Sequence, residues 1–315
     1  MSEQIWHQYY QEVLQLEPEA IRPGSEPRLM NQGKKVENAI VLLHGLSDSP
    51  FYMNAIGHKF YEMGFNVLLP LFPAHGLQDS QLAEKSFNSS HLLDRWKEAV
   101  NYAVSQAKTM GNKVSIGGLS MGGTLSLYHA LTYPHDINGG LFLFSAAIDL
   151  GEKREDLLNA NNEFADIFKF FVDKVRSRDR ASLIGENPYT YSWIPLGTIQ
   201  NLSTLIEEIE KKYPSKQVRY NDLKQPLFVA HSEFDEAIAI NELELLVNNH
   251  PETFLKTEFY RIKKDFFVTH ARLILAENVY ANETSGTKGE PLECKNPFFE
   301  DMMESVKRFV DYHLA

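Results

Sequence analysis

The tightest constraint on the fold lies between residues 114 and 131. There a run of strand character, Val114-Ser115-Ile116-Gly117, enters Gly118-Leu119-Ser120-Met121-Gly122 and leaves as a helix-forming stretch over 124–131. A serine with glycines two residues to either side, on a turn from strand to helix, can hold a strained backbone conformation with its hydroxyl clear of the sheet. Glycine is needed at the flanking positions because any side chain there would collide with the chain packed against the turn. This is the pattern of a nucleophile elbow. A phosphate loop does not fit Gly117-Gly118 and Gly122-Gly123, which lack both the Lys-Ser/Thr pair of a Walker loop and the dinucleotide spacing with its later acidic residue.

Other apolar runs of strand length cover residues 39–43, 65–71, 141–148 and 226–230. Strands apolar on both faces belong to a parallel sheet covered by helices on each side. Leu92, Leu93, Trp96, Val100, Ala103 and Val104 form one face of an intervening helix, with Ser89 or Ser90 as its expected cap. Strand and helix therefore alternate, and the expected class is α/β with a doubly wound, mostly parallel sheet. Ile5, Trp6, Tyr9, Tyr10, Val13 and Leu14 predict a short amphipathic helix within a lead-in over 1–36. The core is expected to span 37–150 and 225–315. Residues 151–224, rich in charge and clustered aromatics, read as a helical cap insertion. An exposed loop over 277–298 and a final helix over 299–312 complete the chain.

Composition narrows the partners. Lys and Arg total 31 against 42 Asp and Glu, a net charge of −11 that repels nucleic acid and anionic surfaces. The single cysteine, Cys294, permits no intrachain disulfide and no Cys-rich zinc site, as suits a reducing compartment. The start of the chain has no basic region followed by an apolar core of a signal peptide, and no apolar stretch approaches the ~20 residues of a membrane helix. The expectation is a cytoplasmic protein without an integral membrane segment or a nucleic-acid partner.

A serine hydroxyl needs a general base, and the base needs an acid to orient it. After the run ending at Ala230 comes His231-Ser232-Glu233-Phe234-Asp235-Glu236-Ala237-Ile238, which puts Asp235 in the loop beyond a buried strand, with Glu233 and Glu236 as rivals. Among the 11 histidines, only His250, His270 and His313 follow that loop. His250 precedes the next expected strand, around 255–262, and falls on the wrong edge of the sheet. His313 lies near the end of the last helix, while His270 follows the strand and can reach Ser120. The oxyanion of an acyl-transfer intermediate needs N–H donors. Met121 at the start of the elbow helix supplies one, and Leu46, in the turn His44-Gly45-Leu46-Ser47, supplies the other. His44 shapes that turn. Gly45, and Tyr191 and Trp193 of an aromatic segment over 189–196, are expected to contact substrate. Phe164, Phe168 and Phe171 recur at helical spacing, as the core of the cap or part of an acyl pocket.

The elbow, the strand followed by His44-Gly45, the segment Leu71-Phe72-Pro73-Ala74-His75-Gly76 and the late Asp235 and His270 together resemble the α/β-hydrolase superfamily. Within it the chain is similar to carboxylesterases and monoacylglycerol-lipase-like serine hydrolases. Members often carry Pro-Gly-His-Gly where this chain has Pro73-Ala74-His75-Gly76. The resemblance implies an α/β-hydrolase fold and a cofactor-independent hydrolase that cleaves carboxylic esters with a short- to medium-chain or monoacylglycerol-like acyl group, through an acyl-enzyme. A thioesterase or aminopeptidase could use the same triad, and a ligand-binding module without catalysis is a reading from a different class.

Overall fold

The computed structural model describes residues 2–148, 183–213, 222–238, 240–250, 257–281 and 289–314. Its strands are β1 (Arg28–Met30), β2 (Val36–Leu43), β3 (Asn66–Leu69), β4 (Gly111–Leu119), β5 (Leu141–Phe144), β6 (Leu227–Ser232) and β7 (Thr257–Ile262). They form one sheet in the order β1-β3-β2-β4-β5-β6-β7, with β1 antiparallel to β3 and the other neighbours parallel.

Alternation along the strands divides the core into two layers. Val41, Leu43, Ile116, Leu143 and Val229 face one side, and Ile40, Leu42, Phe142, Phe144, Phe228 and Ala230 face the other. The first layer is covered by α4 (Leu92–Met110), through Trp96 and Val100, and by α5 (Met121–Thr132), through Leu125. The second is covered by α2 (Pro50–Glu62), through Ile56 and Phe60, and by α8 (Phe299–His313), through Met302 and Phe309. Helices α1 (Ser2–Tyr9), α3 (Ser80–Phe87), α6 (Leu196–Lys212) and α7 (Ile240–Asn249) complete the named helices among the described residues.

Several elements differ from the reading of the sequence. Strand β1 is too short to show a period, and its residues are only half-buried because it forms the edge. The helix at the start of the chain ends at Tyr9 and continues as a single wider turn over Tyr10–Leu14. Helix α4 is capped at His91 rather than by a serine, while the Ser89 hydroxyl accepts the His91 N–H (3.4 Å) in the turn before it. Strand β5 stops at Phe144 instead of running to 148, because Ser145 turns the backbone to φ +42°. Helix α6, inside the span expected to form the cap, lies on the sheet-covering layer: Leu202, Leu205 and Ile206 join the core, and Lys97 of α4 pairs with Glu208 (2.7 Å). The Phe164, Phe168 and Phe171 stripe lies outside the described residues.

Candidate active site

Parallel strands deliver their C-terminal ends to one edge of the sheet, where ligand crevices form in doubly wound folds. Strand β4 ends there at Leu119, and the next residue, Ser120, holds φ +53° and ψ −118° and caps α5. The turn is fixed on both sides, by Ser120 N–H to Phe144 O (3.1 Å) and by Ala147 N–H to Ser120 O (3.2 Å). Thr124 adds a hydroxyl bond to Ala147 O (2.7 Å). The glycines are required by space. A Cβ on Gly118 would lie 2.5 Å from Leu43 O, and one on Gly122 would overlap the same carbonyl. Strand β2 and the start of α5 thus approach as closely as backbone allows.

The loop after β6 carries Asp235, whose side chain has no solvent exposure. One oxygen, Oδ1, accepts the backbone N–H groups of Ala237 (2.8 Å) and Ile238 (3.1 Å). The other, Oδ2, faces His270 Nδ1 at 2.7 Å. Burial alone would raise the Asp235 pKa, but the charge and hydrogen bond of His270, helped by His231 and Ser145, hold it below the ordinary carboxylate value. At His270 burial works against the charged imidazole. The charge and hydrogen bond of Asp235, with the charge of Asp48, more than offset it, so the pKa stands above that of an ordinary histidine.

The rivals sit elsewhere. Glu233 is taken by Arg261 (2.6 Å) and by the Lys264 N–H (3.2 Å), and Glu236 is exposed. His250 approaches Gln225 O (3.0 Å), just before β6, and so lies at the N-terminal edge of the sheet. His313 packs on Phe309 in the last turn of α8.

Behind the acid lies a group that the sequence does not announce. His231 Nδ1 is 3.8 Å from Asp235 Oδ2 and 3.1 Å from Ser145 Oγ. Desolvation pushes the His231 pKa down to about 4, so the ring is neutral near pH 7. With the Ser145 hydroxyl donating to Asp235, His231 donates from Nδ1 to Ser145 Oγ. Its Nε2 has no hydrogen-bond partner among the described residues.

Leu46 lies in the turn after β2 and lines the cavity, and Met121 directly follows Ser120. Leu46 N–H donates no hydrogen bond among the described residues, and Met121 is the first residue of α5, where an N–H has no partner within its helix. The Gly45 turn is shaped by two buried histidines. Phe72 N–H donates to His44 Nε2 (3.1 Å), which leaves His44 Nδ1 to donate to Gly45 O (2.9 Å). His75 Nε2 stands 2.8 Å from Leu46 O. Burial lowers both pKa values and keeps these rings neutral.

A cavity of about 200 Å³ opens onto this edge, and Leu46, Ser120, Thr269 and His270 all line it. Ser120 is 3% exposed and His270 7%. The cavity wall also contains Tyr52, Asp48, Thr190 and Glu293, which the sequence pattern did not single out. Adjacency to Leu46 was the only signal for Asp48. Thr190 and Glu293 come from distant segments that hydrogen bonds bring in: Thr190 Oγ1 donates to Asp48 Oδ1 (3.1 Å), and Asn187 Nδ2 to Glu293 Oε1 (2.9 Å). Tyr191 and Trp193 lie elsewhere. Tyr191 is fully buried, accepting Leu77 N–H (2.9 Å) and donating to Ala74 O (3.1 Å), and Trp193 is packed in the core. Neither is among the described residues of the cavity wall. Gly45 is not among them either, and a Cβ on it would overlap the Asp48 carboxylate.

Sheet order, elbow and site edge define the α/β-hydrolase class. Residues 34–261 match the family model for serine aminopeptidase, S33, and the chain belongs to that family. A thermostable monoacylglycerol lipase from Bacillus sp. (strain H-257) is 29% identical over 127 residues, which cover 40% of this chain and 46% of the lipase. The match therefore spans less than half of that relative. Among solved structures, one described with LipS and LipT, two metagenome-derived lipolytic enzymes, aligns with a TM-score of 0.64 at 18% identity, covering 93% of this chain and all of the other. Est1E from Butyrivibrio proteoclasticus with bound ferulic acid aligns at 0.57 and 14% identity, covering 92% and 95%. At these identities the likeness is one of fold.

Proposed function

We propose that the chain is a serine hydrolase of carboxylic esters working through an acyl-enzyme. Ser120 Oγ attacks the carbonyl carbon and its proton passes to His270. Asp235 keeps the His270 proton on Nδ1, so that the opposite nitrogen carries the lone pair. The Leu46 and Met121 N–H groups receive the oxyanion. Collapse of the intermediate breaks the bond to the alcohol, which leaves with the proton from His270. Water then repeats the sequence on the acyl-enzyme and releases the acid.

The observation that carries this reading is the meeting, in one cavity, of a serine held at φ +53° and a buried histidine 2.7 Å from a buried carboxylate. Strain of this kind costs on the order of 1–3 kcal/mol and is found where function requires it. The polar stretch of wall formed by Asp48, Thr190 and Glu293 suits a hydroxyl-bearing alcohol portion, such as glycerol. That supports a monoacylglycerol-like substrate. The same two carboxylates would also pair with a free amine, which favours an aminopeptidase as the second reading.

A fluorophosphonate probe tests the mechanism: the intact protein should carry one adduct, on Ser120, and Ser120→Ala should carry none and lose turnover while unfolding at the same denaturant concentration. Absence of a Ser120 adduct on folded protein would overturn it. Monobutyrin against an alanine anilide separates the two readings, with faster cleavage of monobutyrin expected.

A further inference from the structure

The loop that leads from β7 to His270 is built unlike the rest of the surface. Residues 263–267, Lys263-Lys264-Asp265-Phe266-Phe267, are all exposed, and the two phenylalanines are 48% and 61% exposed. They do not stand alone. Phe267 meets Phe234 edge-on (ring centroids 5.1 Å) and Phe266 meets Phe298 in the same way (4.5 Å), so two aromatic pairs flank the exposed turn.

The turn is held outward against its own preference. Phe267 sits at φ +53°, a conformation that costs a bulky residue about 1–2 kcal/mol. The turn is closed by Phe267 N–H to Lys264 O (3.1 Å), and the Arg272 guanidinium grips Phe267 O (3.0 Å). A chain that ought to hide these rings instead spends conformational strain to show them.

Charge identifies what the turn fits. Lys263, Lys264 and Lys295 form no ion pair among the described residues, and Arg272 donates only to backbone carbonyls there. Arg261 pairs with both Glu233 and Glu244, a cluster of net charge −1, and Asp265 is the one acid of the exposed loop, so with Lys263, Lys264, Lys295 and Arg272 these residues carry a net charge of +2. This face is therefore basic on a chain of net charge −11. Aromatic rings rimmed by lysines suit an anionic lipid surface, where the rings enter the acyl boundary and the ammonium groups meet headgroups. Two residues after Phe267 the chain reaches Thr269 and His270, which line the catalytic cavity.

We infer that the Lys263–Phe267 loop docks the protein on anionic lipid surfaces and turns the mouth of the Ser120 cavity toward them. This adds a binding surface to the ester-hydrolase reading, and sedimentation with vesicles does not depend on turnover, so either can fail alone. The full chain is spun with vesicles of phosphatidylcholine and with vesicles that also contain phosphatidylglycerol. Wild type should sediment with the second set and much less with the first. Phe266→Ser with Phe267→Asn, the asparagine chosen because it tolerates positive φ, should lower the bound fraction on anionic vesicles roughly tenfold or more. Lys263→Glu with Lys264→Glu should abolish the preference for phosphatidylglycerol. Both variants should cleave dissolved p-nitrophenyl butyrate at the wild-type rate, which shows that they fold. Wild type left in the supernatant with both vesicle types would overturn the inference. So would self-association in ultracentrifugation that the Phe variant removes, since the turn would then be a contact between copies.

Discussion

Replacing Asp235 by asparagine tests the geometry of the site more sharply than removing the serine. Two backbone N–H groups, from Ala237 and Ile238, point at Oδ1. An asparagine therefore keeps its carbonyl oxygen there and places its NH₂ where Oδ2 now faces His270 Nδ1 at 2.7 Å. A donor would oppose a donor. The imidazole relieves this by moving its proton to Nε2, which removes the lone pair needed by Ser120. Loss of the required tautomer costs roughly 10⁴-fold in kcat in a Ser-His-Asp site, or about 5 kcal/mol of barrier. Folding should change by no more than about 2 kcal/mol, since the amide keeps the two backbone bonds and carries no buried charge. Steady-state kinetics on p-nitrophenyl butyrate measure the first quantity and urea unfolding the second. A loss below tenfold with the fold intact would refute the reasoning and return the acid role to Glu233 or Glu236.

Two further outcomes follow from local physics. Since the charge of Asp48 helps to raise the His270 pKa, and only the neutral ring can act as base, activity should fall as pH drops through a value above that of ordinary histidine. Asp48→Asn should move that limb of the kcat/KM profile to lower pH, and an unmoved limb would remove Asp48 from the electrostatics of the site. Ala74 holds φ +74°, so Ala74→Gly should stabilise the protein by about 0.5–1 kcal/mol in urea titrations, and a lower midpoint would show that the strain is absorbed elsewhere.

Much of this site was legible because its chemistry is local. Ser120 is announced by glycines that the crossing Leu43 carbonyl makes obligatory, Asp235 by following the buried apolar strand β6, and His270 by its place in chain order after β7, which is only half-buried. Tyr191 and Trp193 show where that logic ends. An aromatic segment looks like a binding wall in sequence, yet Tyr191 N–H bonds to Ser47 O (2.9 Å) and the side chain bonds to Leu77 and Ala74, which ties the segment to the turn after β2. The cavity wall is instead completed by Thr190 and Glu293, single polar residues whose placement depends on tertiary hydrogen bonds and leaves no period or motif. The Ser145–His231 support of the acid was invisible for the same reason, although the positive φ of Ser145 also explains why β5 ends early. The Ala74 turn keeps the left-handed backbone that glycine usually supplies, so a departure from a family pattern can preserve the shape and change only its energetic cost.

The lone thiol of the chain has a practical consequence. Cys294 is exposed and directly follows Glu293, which lines the cavity and pairs through its backbone with Val279. Successive residues of an extended segment project to opposite sides, so a dye attached at Cys294 shares the backbone of the cavity wall while standing outside it. The unmodified protein thus carries one site for an optical reporter, and occupation of the cavity could be followed by fluorescence in real time without altering a single residue.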